Sequence, residues 1–97
     1  MIQSFRDDGT RDLFDREDSK AARKACPRTL WNVAVRKLDQ LNQAHALQDL
    51  RAPPGNRLEA LHGKRKSQYS IRINDQYRVC FRWSESGPSH VEVTGYH

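Results

Sequence analysis

The sequence predicts an α+β fold, with N-terminal helices packed on one face of a small antiparallel β-sheet formed by the C-terminal half. Three observations carry that prediction. Leu30, Trp31, Ala34, Leu38, Leu41 and Ala44 recur at spacings of three and four, the signature of an amphipathic helix over about residues 28–45. From Gln68 to Asn74 and from Gln76 to Trp83 the pattern changes to strict alternation, which is the period of a half-buried strand. Asn74-Asp75 between the two runs reads as a turn, so they form a hairpin.

The remaining elements follow in chain order. Ile2 and Phe5 give a weak first strand over Met1–Phe5, and Thr10 is placed to cap a helical turn through Leu13 and Phe14. Residues 15–25 are highly charged, with nothing apolar larger than alanine. They are expected to form an exposed helix continuation or a mobile connector that buries little. Pro27 suits a first helical turn. Pro53-Pro54-Gly55-Asn56 breaks the helix and must turn the chain. Leu58 and Leu61 suggest a short strand, residues 84–89 a second turn, and His90 to Thr94 a last strand with Val91 and Val93 inward. Trp31, Tyr77, Phe81 and Trp83 fall at helical or strand spacing and read as packing residues.

Composition bounds the rest. At 97 residues the chain holds one domain, 1–97, and only 36% of it is hydrophobic, so the core must be lean. No window approaches a membrane span and residues 1–8 lack the apolar stretch of an export signal, which predicts a soluble, cytoplasmic protein with no membrane partner. Cys26 and Cys80 are far apart and outside any CxxC pair, so free thiols are expected. His45, His62, His90 and His97 show no ligand spacing; neither a metal nor another cofactor is expected. Ser70 has no His/Asp partner at informative spacing, which argues against serine nucleophile chemistry.

The net charge of +5 is concentrated in one half of the chain. Residues 1–49 hold 9 basic and 8 acidic residues, whereas residues 50–97 hold 8 basic and 4 acidic. Such a field attracts a polyanion; the alternative is a solvated face. Strand parity bears on the choice. If Tyr69, Ile71, Ile73, Tyr77, Val79, Phe81 and Trp83 face the helices, then Arg72, Arg78 and Arg82 project together from the opposite face. Glu92, Thr94 and, if the strand continues past Gly95, Tyr96 join that side. Several guanidiniums beside a phenol and an imidazole suit an RNA backbone, the cations on phosphate and the rings on bases. Lys64-Arg65-Lys66 reads either as a second RNA contact or as a solvated turn.

These residues resemble a known family. Arg57-Leu58-Glu59-Ala60-Leu61-His62-Gly63-Lys64-Arg65, the run from Gln68 through Arg72 and Arg78 to Trp83, and the terminal Gly95-Tyr96-His97 are similar to the HigB toxins of the RelE/ParE superfamily. Pro53-Pro54-Gly55-Asn56 resembles the branch carrying a PPGN loop, and with Ile2-Gln3-Ser4-Phe5 the likeness covers nearly the whole chain. The resemblance implies a RelE/ParE-like fold and a type II toxin acting as a ribosome-dependent mRNA endonuclease. A HigA-like helix-turn-helix antitoxin would neutralise it, and operator DNA would be met only through that antitoxin. The implied reaction is metal-independent attack of a ribose 2′-hydroxyl on its own 3′-phosphate.

Carried over residue by residue, the resemblance gives Arg78 the phosphate-stabilising role and Tyr96 and His97 the stacking and proton-transfer roles. Arg72 stands where relatives carry a basic residue. Lys64, Arg65, Lys66 and Arg82 complete the RNA-binding set. The sequence departs from the family at two places. Gly95 replaces the aspartate of the usual Asp-Tyr-His ending, and Glu59 falls where some relatives carry a catalytic histidine, with His62 as an alternative base. Two other functions stay open on the same fold: ParE-like inhibition of DNA gyrase, and RNA or DNA binding without catalysis.

Overall fold

Asp7 opens the first helix. The computed structural model, which describes residues 1–95, has the Asp7 carboxylate accepting from the Thr10 amide at 2.7 Å, and α1 runs over Asp8–Phe14. Thr10 is therefore not the cap. It is buried, and its Oγ1 accepts from the Val93 amide at 3.0 Å across 83 residues of sequence. Asp7 takes the capping position because a carboxylate there also complements the positive end of the helix.

Ser19 caps α2 (Lys20–Ala25), accepting from the Ala22 amide at 3.0 Å while its hydroxyl donates to Asp12 at 2.6 Å. The 15–25 segment is largely exposed, its last six residues being helical; within it Ala22 alone is buried, at 0% exposed, and Cys26, at 1%, follows just after it. Small side chains let the two short helices approach closely. A Cβ on Gly9 would lie 2.4 Å from the Ala21 carbonyl oxygen, so this crossing tolerates only glycine. Such proximity leaves no hydrophobic signal in the sequence.

After Pro27 a 3₁₀ turn, Arg28–Leu30, leads into α3 (Trp31–Gln43), whose Ala34, Leu38 and Leu41 are fully buried. The Trp31 indole donates to the Cys26 carbonyl at 2.8 Å, fixing α3 to the end of α2. The chain then turns through two further 3₁₀ segments, Leu47–Arg51 and Pro54–Asn56, into the sheet.

Among the described residues four antiparallel strands follow in the order β1-β2-β3-β4: Glu59–Ala60, Tyr69–Arg72, Tyr77–Ser84 and Gly87–Gly95. The β2–β3 turn is closed by Asn74, whose Oδ1 accepts from the amides of Gln76 and Tyr77 at 2.8 and 2.7 Å. β4 starts at Gly87, earlier than expected. Gly87 adopts φ 117° with the Met1 carbonyl oxygen 2.6 Å from where a Cβ would be, so the N-terminal segment lies against the start of this strand. Residues 1–5 run parallel to β4 through one bridge, Phe5 to Val91, rather than forming a separate strand; Gln3 donates to Pro88 at 2.8 Å and Val91 to Ser4 at 3.1 Å.

The inner face behaves as parity requires. Ile71, Ile73, Val79, Phe81, Val91 and Val93 join Leu13, Leu38, Leu41 and Leu50 in one core, with Tyr69, Tyr77 and Trp83 packed at its margin. Phe81 is the largest fully buried side chain among the described residues, with the rings of Tyr69 and Trp83 at 6.2 and 6.4 Å between centroids. Burying such a side chain contributes roughly 1.5–3 kcal/mol. The helices pack on this face, and Arg72, Arg78 and Arg82 alternate with it along β2 and β3.

Candidate functional site

The register sets the outer face in rows. Glu59, Ser70, Cys80 and Glu92 are successive partners across all four strands; one step along, Arg72, Arg78 and Thr94 are partners across three. Arg72 and Arg78 thus stand directly opposite, an arrangement of like charges that is unfavourable without an anion nearby. Asp75, on the connecting turn, forms an ion pair with Arg72. That carboxylate is almost fully exposed, so the pair is weakly held and a phosphate can displace it.

Arg72 and Glu59 share an open concavity of about 510 Å³ with Arg57, Leu58 and Asp75. Glu59 and Arg72, both singled out by the resemblance, therefore line one depression, with Arg78 in the adjoining strand. Here the structure brings together Glu59, Arg72 and Arg78 from strands separated by up to 19 residues of sequence.

The Cys80 row is closed rather than open. Arg65 donates to Glu92 at 3.0 Å and to Gln68 at 3.1 Å, and Arg6 reaches the other Glu92 oxygen at 3.7 Å. Beneath this bridge Ser70 and Cys80 are 1% and 0% exposed. Burial raises the Cys80 thiol above its ordinary value, outweighing the opposite pull of Arg65 and Arg78. Cys80 is accordingly an inert thiol at neutral pH, like Cys26, which burial pushes up to about 11.

The expected basic cluster divides. Arg65 is half-buried and committed to Glu92, whereas Lys64 and Lys66 are exposed on the 3₁₀ turn Gly63–Arg65 and just after it. Arg82 is exposed on the same face as Arg78 but four residues along β3, about 13 Å away at ordinary strand rise. Between Cys80 and Arg82 the register steps by one residue, leaving His90, at φ 53°, as the extra residue of a β-bulge. Arg82 therefore stands opposite Ser89, apart from the Arg72–Arg78 pair. Tyr96 and His97 lie outside the described residues. Of the charged residues assigned to the site, Arg72, Arg78 and Glu59 form its centre, and Lys64, Lys66 and Arg82 its periphery.

One contributor is not legible in strand parity. Asn56 is fully buried, and its amide donates to the carbonyls of Leu50 and Ala52 at 3.0 and 3.2 Å and to Gln40 Oε1 at 3.1 Å, while its oxygen accepts from Lys37. Burial lowers the Lys37 ammonium from its ordinary value, with neighbouring Arg36 acting in the same direction. The asparagine ties the 53–56 turn to α3. The next residue, Arg57, is held at φ 45° and delivered to the concavity beside Glu59. The turn residues signalled a loop; the buried polar anchor required the packed helix.

Residues 3–94 match the family model for HigB-like toxin, described as the RelE-like toxin HigB of type II toxin–antitoxin systems. The chain belongs to the HigB-like toxins. It is 43% identical over 83 residues to toxin HigB-1 of Vibrio cholerae serotype O1, an alignment covering 86% of this chain and 84% of that protein. An uncharacterized protein of Haemophilus influenzae is 36% identical over 84 residues, covering 87% and 80% of the two chains. Among solved structures, the YoeB–YefM complex from Staphylococcus aureus contains a chain that superposes with a TM-score of 0.60, covering 100% of this chain and 98% of that one at 11% identity. That likeness establishes the RelE-like fold. No helix among the described residues of this HigB-like toxin is long and apolar enough to cross a membrane.

Proposed function

We propose that this HigB-like toxin, acting as one domain over residues 1–97, is a ribosome-dependent mRNA endonuclease of a type II toxin–antitoxin pair. The supporting observation is the outer sheet face, where Glu59 and Arg72 line one concavity and Arg78 pairs with Arg72 across the strands. In this reading the Glu59 carboxylate accepts the proton of a ribose 2′-hydroxyl. The freed oxygen attacks the adjacent phosphorus, and the bond to the 5′-oxygen breaks. Arg72 and Arg78 stabilise charge on the non-bridging oxygens. Tyr96 stacks on a base, and His97 protonates the leaving 5′-oxygen. The products are a 2′,3′-cyclic phosphate and a 5′-hydroxyl end, so atoms and protons balance without a cofactor.

Arg82, on the same face, and Lys64 and Lys66, exposed on the turn between β1 and β2, serve as ribosomal or messenger RNA contacts; Arg65 supports them from its bridge to Glu92. A HigA-like helix-turn-helix antitoxin is the neutralising partner, and operator DNA is reached through it. The cytoplasm, where translating ribosomes are found, is the site of action.

The test is cleavage of mRNA on translating ribosomes by purified wild type and Arg78→Ala, with cut sites mapped and end groups identified. Removing one preorganised cation is expected to lower the rate by about 10²–10³. Equal rates for a folded Arg78→Ala protein would overturn the phosphate role. A wild type that leaves mRNA intact but inhibits gyrase would replace this reading with the ParE-like one.

A further inference from the structure

Arg57 is the cation of the concavity to which neither parity nor motif gave a role. Of the four charged residues lining that space, Arg72 is paired with the exposed Asp75, and Arg57 stands beside Glu59. Among the described residues Arg57 makes no ion pair. It is exposed, yet its backbone is held from the N-terminal side. Its amide donates to the Pro54 carbonyl at 3.2 Å, and the preceding Asn56 is locked by four side-chain hydrogen bonds. Its φ of 45° lies in the left-handed region, where a residue with a Cβ is disfavoured and glycine is not. A strained and rigid backbone thus carries a long, unpaired guanidinium into the depression that holds the general base.

The placement answers an electrostatic difficulty. Glu59 must meet a substrate whose phosphates are negative, and a lone carboxylate there would repel them. A guanidinium in the same depression cancels that charge while offering a fork of donors that matches two phosphate oxygens.

We propose that Arg57 is a substrate-binding residue that holds an RNA phosphate flanking the cleaved linkage, making the Glu59 side of the site compatible with a polyanion. The proposal rests on the endoribonuclease reading. Arg57 binds the strand; the phosphate under attack remains with Arg72 and Arg78. The bound class is single-stranded RNA, recognised through its backbone and independently of base identity at that nucleotide.

The experiment measures binding of a 2′-O-methylated, uncleavable single-stranded RNA across a salt series, together with mRNA cleavage on translating ribosomes. It compares wild type, Arg57→Ala, Arg57→Lys and Arg57→Gly. Arg57→Ala and Arg57→Gly should each weaken RNA binding about tenfold and make the logarithmic salt slope shallower by about 0.7. Arg57→Lys should keep the wild-type slope. Arg57→Gly should melt no lower than wild type, because glycine accepts this φ, which separates lost binding from lost folding. Wild-type affinity and slope in both neutral variants would overturn the role of Arg57 while leaving the endoribonuclease reading intact. A wild type that neither binds this RNA nor cuts mRNA would overturn both.

Discussion

Replacing Asn56 by alanine should cost this toxin a large part of its stability, although the residue lies in a loop rich in proline and glycine. The asparagine is 0% exposed and makes four side-chain hydrogen bonds, one of them to the Lys37 ammonium. Alanine removes all four. The Ala52 carbonyl keeps a donor in Gln40 Nε2, but the Leu50 carbonyl loses its asparagine donor and the partly buried Lys37 its acceptor. Net hydrogen bonds contribute about 1 kcal/mol each, those to charged groups about 1.5–3, and these losses overlap because the partners are shared. The expected destabilisation is about 3–4 kcal/mol, against a total of about 5–15 kcal/mol at ordinary stability per residue. For a domain of this size each kcal/mol shifts Tm by about 4–8 °C, so Asn56→Ala should melt at least about 12 °C below wild type. Thermal unfolding followed by circular dichroism, repeated in urea, measures it. Gln40→Ala removes a peripheral member of the network and should cost only about 1 kcal/mol. A Tm for Asn56→Ala within a few degrees of wild type would refute the anchor, and with it the account of how Arg57 is presented.

Three further outcomes follow from the site and the core. Because burial holds the Cys26 thiol near 11 against an ordinary 9.0, the unfolded chain loses that proton first as pH rises, so folding stability should fall between pH 9 and 11. The loss is up to about 1.4 kcal/mol for each pH unit in that window, and Cys80, also raised, contributes in the same direction. Urea unfolding of wild type and Cys26→Ala at pH 8 and pH 10.5 checks this; equal pH dependence in both would exclude Cys26 as a source. On the basic turn, Lys64→Ala with Lys66→Ala should shallow the salt slope of ribosome binding by about 0.7–0.9 per true contact and leave Tm unchanged. Arg65→Ala should instead lower stability by about 1–3 kcal/mol, since it leaves the partly buried Glu92 without its closest cation. A reversed pattern, with Arg65 affecting only the salt slope, would contradict the bridge.

Much of this molecule was legible in its sequence, for reasons of periodicity. Side chains alternate across a strand and recur each turn of a helix, so Tyr69 to Trp83 assigned its own inner face, and Leu30 to Leu41 its buried stripe, from spacing alone. The same parity placed Arg72, Arg78 and Glu92 on the outer face, and the residue order around Glu59, Arg78 and the PPGN turn carried the family resemblance. Only the tertiary structure decided how those residues are used. Thr10 reads locally as a cap but serves Val93, because a buried strand amide supplied a stronger claim on its hydroxyl. Of the charged 15–25 segment Ala22 alone enters the core, where α1 and α2 approach closely at Gly9 and Ala21, a contact that hydrophobicity does not report. Arg65 turns inward to Glu92, 27 residues away, while its two lysine neighbours stay in solvent. Asn56 becomes a buried anchor and Arg57 a presented cation only when α3 packs beside the turn. The contacts of Thr10, Arg65 and Asn56 join residues distant in the chain through polar groups, and such contacts depend on which elements pack together, a relation that no local period encodes.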